Sequence, residues 1–437
     1  MMQNPEFRRN LWMELSVYRL IGMPLVLGAL FVLIYVLSTD DPFKAIVPYT
    51  LTLYSLIIFL WGTRQSAESV ISEVRDRTWD QQRMSSIGPW SMTWAKLLGS
   101  TIFPWYGGLL CLLVYSILTI GVPEERTLNT VGLFVVCGLL SNAVALLISM
   151  HSMKKDRIYN RSQAAAYLVL GAMIVGPILS SAFKAYGSYT WLGQSFESRN
   201  FILTSAALFL GWTVVGIYRL MRTELQMKNG PFIWLGFACF LSLYFSGFMN
   251  VVDARDRTFD RFLTAFLVSA VLAYLMALSE RKDPVAFRRL FASYGRKEWS
   301  RVLQELPCWL ITLLPIFASI CGMLYAADSF IDPAKPVDGV RLVIIASFLF
   351  ILRDLGLMLF FNLAKEQKRA DMVLVLCLCL LYGVVPLILN AIKLDAMTAL
   401  FWPQWGQYAM LGAAAAGAEA ALAMALVAMR WKKQYRT

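Results

Sequence analysis

PILSSAFK at 177–184 and PLILNAIK at 386–393 close two apolar runs about 209 residues apart. The shared skeleton is Pro177, Ala182, Phe183 and Lys184 in the first copy, and Pro386, Ala391, Ile392 and Lys393 in the second. Working outward, Trp94, Lys96 and Leu98 recur as Trp299, Arg301 and Leu303 at nearly the same offset, again just before an apolar run. Both echoes place a boundary near residue 225, so the chain reads as a tandem repeat. A duplicated bundle of apolar helices is characteristic of transporters, whose path runs where the repeats meet.

The composition fixes the environment of that repeat. Of the 437 residues, 58% are hydrophobic and 16% charged, too few charges to cover a soluble surface. Runs of about 20 apolar residues fall at 20–37, 44–62, 97–120, 128–150, 163–182, 200–220, 231–251, 262–279, 307–327, 340–362, 372–392 and 408–429. The expected fold is therefore an all-α polytopic membrane protein of about twelve transmembrane helices, six per half. The halves are 1–225 and 226–437. With the N-terminus inside, about three quarters of the Lys and Arg fall on the cytoplasmic side, which also receives Arg430, Lys432, Lys433 and Arg436. The net charge of +12 is thereby explained by topology, and no nucleic-acid partner is called for. Both termini are expected in the cytoplasm, with the chain in the inner membrane of a bacterium.

The seven cysteines lie in or at the ends of apolar runs and offer neither a disulfide framework nor metal-ligand spacing. No cleavage site follows the first charged residues, so the first helix is expected to stay on the chain. Before it, Phe7, Leu11, Trp12, Leu15 and Tyr18 recur at helical spacing opposite Arg8, Arg9 and Glu14, which predicts an amphipathic helix along the inner membrane surface. Two cytoplasmic segments are much longer than the rest, 63–96 and 280–305, at equivalent places in the halves. Two external connections are aromatic: Tyr186, Tyr189, Trp191 and Phe196 in one, Phe401, Trp402 and Trp405 in the other. They read equally as short re-entrant helices and as loops with interfacial anchors.

In the first long segment, Glu73, Arg77, Thr78 and Asp80 are followed by Ser85, Pro89, Lys96 and Gly99. This order resembles the cytoplasmic loop of permeases of the type-2 ABC exporter class, where an acidic residue, a Gly-Thr pair, a second acid, a proline turn and a Gly-Lys pair occur in sequence. Here Arg77 stands for the glycine of the first pair and Ala95 for that of the second. The resemblance extends to the six-helix half, the amphipathic start and the aromatic connection before the sixth helix. It implies that 63–96 holds a coupling helix, with Glu73, Arg75, Arg77, Thr78 and Asp80 facing a cytoplasmic ATPase. It also implies two copies of that nucleotide-binding subunit, with ATP and Mg on the partner. The chain itself has no phosphate-cradling G-x-x-x-x-G-K-[ST] loop, so it is expected to be a permease with no catalytic residues or cofactor of its own. The second segment, with Arg288 and Arg289, is expected to form a second docking surface or to hold anionic membrane lipid. A solvated, charge-paired helix face is the plain alternative for Arg75, Asp76, Arg77 and Asp80.

Three charges fall inside apolar runs: Arg353, Asp354 and Glu419. Each costs roughly 2.5–3.5 kcal/mol at a helix centre, so Arg353 is expected to pair with Glu419 or Asp354. Their first-half equivalents are Val144, Ala145 and Leu210, so the polarity is one-sided. The resemblance further implies a path lined by the second and fifth helices of each half, with Tyr49, Tyr54, Phe59, Tyr167, Phe266, Tyr274 and Tyr382 as candidate walls. Aromatic walls suit an amphipathic or lipid-like cargo; the cargo expected of such a permease is amphipathic, lipid-linked, peptide or drug-like, and the sequence does not choose among these. His151, beside Lys154 and Lys155, reads as a boundary residue. The rival readings are an ion-coupled secondary transporter and an integral-membrane glycosyltransferase. The first would need a short Gly-rich loop between spans two and three, and the second a larger external domain than the turn at Asp40 and Asp41 allows.

Overall fold

The computed structural model describes residues 4–38, 41–120, 127–153, 187–249, 256–280, 282, 284–327, 337–363, 370–403 and 408–435. Among these residues, ten helices are long and apolar enough to cross a membrane. The chain is therefore an all-α, integral, multi-pass membrane protein.

Contacts divide the chain into two compact units, Met1–Tyr189 with Ser195–Asn229, and Thr190–Gln194 with Gly230–Thr437. The first contains α1 (Pro5–Glu14), α2 (Val17–Leu37), α3 (Pro42–Ser55), α4 (Thr63–Arg75), α5 (Trp79–Arg83), α6 (Pro89–Trp94), α7 (Ile102–Thr119), α8 (Thr127–Met153) and α9 (Ser198–Glu224). The second contains α10 (Phe232–Ser246), α11 (Asp256–Ser279), α12 (Pro284–Gly295), α13 (Trp299–Glu305), α14 (Cys308–Ile311), α15 (Leu313–Ala326), α16 (Val337–Asn362), α17 (Ala370–Cys379), α18 (Val385–Ala391), α19 (Asp395–Thr398) and α20 (Ala409–Tyr435). Among the described residues, π-helical stretches at Leu56–Gly62, Ala95–Gly99 and Leu380–Val384 continue α3 into α4, follow α6, and join α17 to α18.

In the first unit α2 packs on α3 and α7, α3 on α7, and α8 on α9. The core centres on Tyr54, Ile58, Phe134 and Cys137. Tyr54 is wholly buried, and its hydroxyl donates to the Phe134 carbonyl at 2.8 Å. In the second unit α10 packs on α11 and α15, α11 on α15, and α16 on α20. Its core gathers Phe266, Ile316, Met323, Ile344 and Leu355. The long α16–α20 contact is made with small residues, Gly356 meeting Ala423 and Ala416 lying buried against Phe350. Where only a hydrogen faces a methyl, as at Gly356 and Ala423, the backbones approach closely, which is how helices gain contact in lipid.

Several details differ from the sequence expectation. The span expected at 231–251 is the 15-residue helix Phe232–Ser246, and the one at 163–182, with Tyr167, Pro177 and Lys184, lies outside the described residues. The described part of the aromatic connection, 187–197, is neither a helix nor a plain loop. It forms a two-stranded hairpin, Ser188–Trp191 with Gln194–Glu197, because Leu192 and Gly193 both take positive φ at its tip. The amphipathic stretch ends sooner than its pattern suggests: Leu15 leaves the helical region and Ser16 caps a new helix through the Arg19 amide, giving Tyr18 to α2. The second span runs unbroken from Phe43 to Arg75, 33 residues. At about 1.5 Å per residue that is about 50 Å, against a hydrocarbon core of about 30 Å, so the helix carries well beyond the membrane into the 63–96 segment.

Candidate functional site

The strongest polar feature within the spans is built from four helical elements of the second unit. Arg353 and Asp354 are neighbours on α16, Glu419 projects from α20, Tyr274 from α11, and Tyr382 from the π-helical stretch Leu380–Val384. Arg353 Nε donates to Asp354 Oδ1 at 2.9 Å and Nη1 to Glu419 Oε2 at 2.7 Å. Its Nη2 lies 2.9 Å from the same Asp354 oxygen but makes no hydrogen bond, so that contact is purely electrostatic. Tyr274 and Tyr382 both donate to Asp354 Oδ2, at 2.6 and 2.7 Å. The guanidinium also lies over the rings of Phe350 and Tyr382, at 4.7 and 4.9 Å from their centroids, and Trp402 meets Tyr382 edge-on.

The sequence expectation left Arg353 with two alternative partners, and it has both. It also held Tyr274 and Tyr382 only as path residues; they are hydrogen-bond donors to the same carboxylate. Of the other candidate walls, Tyr54, Phe59 and Phe266 are buried in the cores of their own units, whereas Tyr49 is half exposed. The side chains of Arg353 and Asp354 are 3% and 0% exposed, that of Glu419 31%. Burial of this depth demands charge-assisted bonds, since an ion stripped of water is stable only when paired and hydrogen-bonded.

A second cluster fastens the 63–96 segment of the first unit. Lys96, 1% exposed, lies in the π-helical stretch after α6. It pairs with Glu73 at the end of α4 and, at 2.6 Å, with Glu6 of α1. Glu6 accepts no hydrogen bond, so its contact with the ammonium is an ion pair without directional bonding. Glu73 also accepts from Arg9 at 3.0 Å and from Gln82 at 2.6 Å, and Lys96 sits over the Trp79 ring. Asn4 Nδ2 donates to the Ser91 carbonyl, and Arg83 Nε donates to the Glu224 carbonyl at the end of α9. Gly99 belongs to the same junction, where an added Cβ would fall 2.9 Å from Asn10 Nδ2.

Of the expected coupling residues, Glu73 therefore faces inward and is fully engaged. Arg75, Asp76 and Arg77 are exposed, and none forms an ion pair among the described residues. Arg77 takes a left-handed backbone, φ 57°, at the turn leaving α4, the position that the resembling loops give to glycine. Thr78 donates back to the Glu73 carbonyl, and Asp80 pairs with Arg83 at 3.4 Å. All four residues of the plain reading are solvated, and among the described residues Asp80 is the one of them in an ion pair. Arg288 and Arg289 lie exposed on α12, next to a cavity of about 330 Å³ lined by Leu290, Phe291, Tyr294, Trp299, Val302 and Leu306. Sequence reasoning misses Glu6 and Arg9 as partners of the loop, because only the fold brings them to Lys96. It also misses Glu280, whose carboxylate accepts the Cys308 and Trp309 amides at 3.2 and 3.4 Å and so caps α14.

Comparison with family models, curated proteins and solved structures gives no match. What the fold defines is the class, a multi-pass all-α membrane protein, and a more particular reading rests on the two clusters.

Proposed function

We propose that the chain is the permease of an ATP-driven exporter, two six-helix halves fused in tandem, both termini cytoplasmic, in a bacterial inner membrane. It moves an amphipathic, lipid-linked, peptide or drug-like cargo, and ATP with Mg is hydrolysed on two separate cytoplasmic subunits. The observation that carries this reading is the fastening of the 63–96 segment. A helix that overruns the membrane ends in exposed Arg75, Asp76 and Arg77, while buried Glu73, Lys96 and Glu6 tie its root to α1 and to the start of α7. A push on the exposed turn is thereby transmitted to spanning helices as a rigid movement, the requirement for a coupling element. The like order of helix pairing in the two units supports the tandem repeat.

The test is purification of the tagged chain from its native membrane in mild detergent, with mass spectrometry of what accompanies it. A stoichiometric Walker-motif subunit with ATPase activity is expected. It should be lost in the double variant Arg75→Glu, Arg77→Glu, which spares the buried cluster and should leave thermal unfolding unchanged. A second reading, an ion-coupled carrier, draws on Arg353, Asp354 and Glu419. A pure chain with no ATPase partner and no ATP hydrolysis favours that reading and sinks the first.

A further inference from the structure

The two buried clusters differ in their charge balance. Around Lys96, two cations, Lys96 and Arg9, meet two carboxylates, Glu6 and Glu73. Inside the second unit, Arg353 alone meets both Asp354 and Glu419. The titratable groups about this cluster are Tyr274 on α11, Arg353 and Asp354 on α16, Cys377 and Tyr382 on α17 and its π-helical continuation, and Glu419 on α20. No second cation stands among these described residues, and α15, which also packs on α16, carries no charge at all.

The hydrogen bonds identify which carboxylate is short of a partner. Asp354 receives Arg353 Nε on one oxygen and two tyrosine hydroxyls on the other. Three donors directed at one group fill most of the about four acceptor sites of an ionised carboxylate. Glu419 receives a single bond, at Oε2, and no described residue donates to Oε1. It is also the more accessible of the two carboxylates, at 31% exposure against 0% for Asp354. Of the four residues one turn away on α20, Ala415, Ala416 and Ala423 have no atoms beyond Cβ to cover it, and the fourth, Leu422, is 60% exposed. The exposed ring of Trp402 rests against Tyr382 beside the cluster.

We propose that Glu419 is the binding point for one cationic group, a primary or quaternary ammonium or comparable organic cation borne by an amphipathic cargo. Oε1 supplies the counter-charge. The faces of Phe350 and Tyr382 are taken by Arg353, so cation–π attraction, which grows as water is excluded, comes from the exposed Trp402 ring beside Tyr382. Arg353 holds the carboxylate in place through Oε2 while leaving the other oxygen open. This deepens the permease reading by naming the charge of its cargo, and it rests on that reading only for the step from binding to transport.

The test is equilibrium dialysis of labelled tetraphenylphosphonium against the purified chain, without any partner subunit, in nanodiscs of zwitterionic lipid. One saturable site is expected in the wild type. Affinity should fall by about tenfold or more in Glu419→Gln and persist in Glu419→Asp, with infrared spectra showing no protonated carboxylic acid that Glu419→Gln removes. Equal binding by wild type and Glu419→Gln overturns the proposal. So does a wild type that binds no cation while showing a carboxylic-acid band absent from Glu419→Gln, since a proton is then the occupant. Copurification of an ATPase is read separately: a chain that binds through Glu419 but has no such partner keeps this inference and loses the exporter reading.

Discussion

Lys96 shows how little of a buried charge network is visible one residue at a time. The sequence marks Lys96 and Glu73 as loop residues, yet Lys96 is among the least exposed side chains of the protein. Truncating it leaves buried Glu6 and nearly buried Glu73 with only the half-exposed Arg9 as a cation, and breaking a buried pair costs about 3–5 kcal/mol. Lys96→Met should therefore lower the thermal unfolding temperature sharply in detergent. The triple variant with Glu6→Gln and Glu73→Gln should recover most of the loss, and no recovery would mean that the pairing is not what holds the junction. Glu280, just beyond α11, gives a pH-dependent counterpart. Burial pushes its carboxyl above the usual value of 4.5, against the opposing pull of the Cys308 and Trp309 amides and of Lys282. A raised folded pKa means that the folded chain holds the proton more tightly than the unfolded one. The associated stability is full below the usual carboxylate range and is lost as pH rises through the folded value. Unfolding followed from acid to neutral pH should show the wild type losing ground relative to Glu280→Gln. Parallel curves would remove Glu280 from the account.

At the scale of elements, apolar run length was readable and backbone irregularity was not. Spans such as 340–362 follow from twenty-residue hydropathy alone, and α16 matches that reading closely. The π-helical stretches carry no hydropathy signal, although one holds Lys96 and another Tyr382; such insertions recur at functional sites because they re-aim side chains. The hairpin at 188–197 was hidden for a different reason: its aromatic content suggested the membrane interface, while its fold depends on the backbone at Leu192 and Gly193. Helix contacts likewise turn on single glycines. A Cβ at Gly138 of α8 would lie 2.6 Å from Tyr54 Oη and 2.8 Å from Ile58 Cγ2. Gly138→Ala should destabilise the protein by about 1–3 kcal/mol through overpacking. Gly28→Ala on α2, with nothing within 4 Å of the added carbon, is the matched control and should be neutral or stabilising, since alanine favours a helix by about 1 kcal/mol over glycine. Equal melting temperatures for the two variants would show that α8 has room to shift.

For the whole molecule, the orientation of the second unit depends on the helix Phe232–Ser246. Its 15 residues span about 22 Å, short of the about 30 Å core, and hydropathy alone leaves its crossing open. Its far end is fixed by hydrogen bonds to the hairpin: Trp191 Nε1 donates to the Tyr244 carbonyl at 3.0 Å, and the Leu192 amide to the Gly247 carbonyl at 2.9 Å. That end of α10 therefore shares a membrane face with the hairpin. The hairpin leads directly into α9, whose 27 residues are ample to cross and which ends at Glu224. If α10 crosses, α11 returns the chain to the face on which α10 begins, and α12 with Arg288 and Arg289 lies on that face. The positive-inside rule asks for the same placement, since otherwise the arginines of α12 would stand outside. Arg289→Cys should accordingly resist a membrane-impermeant maleimide added to intact cells and react once the cytoplasmic face is opened, above the background of the seven native cysteines. Labelling in intact cells would mean that α10 does not cross.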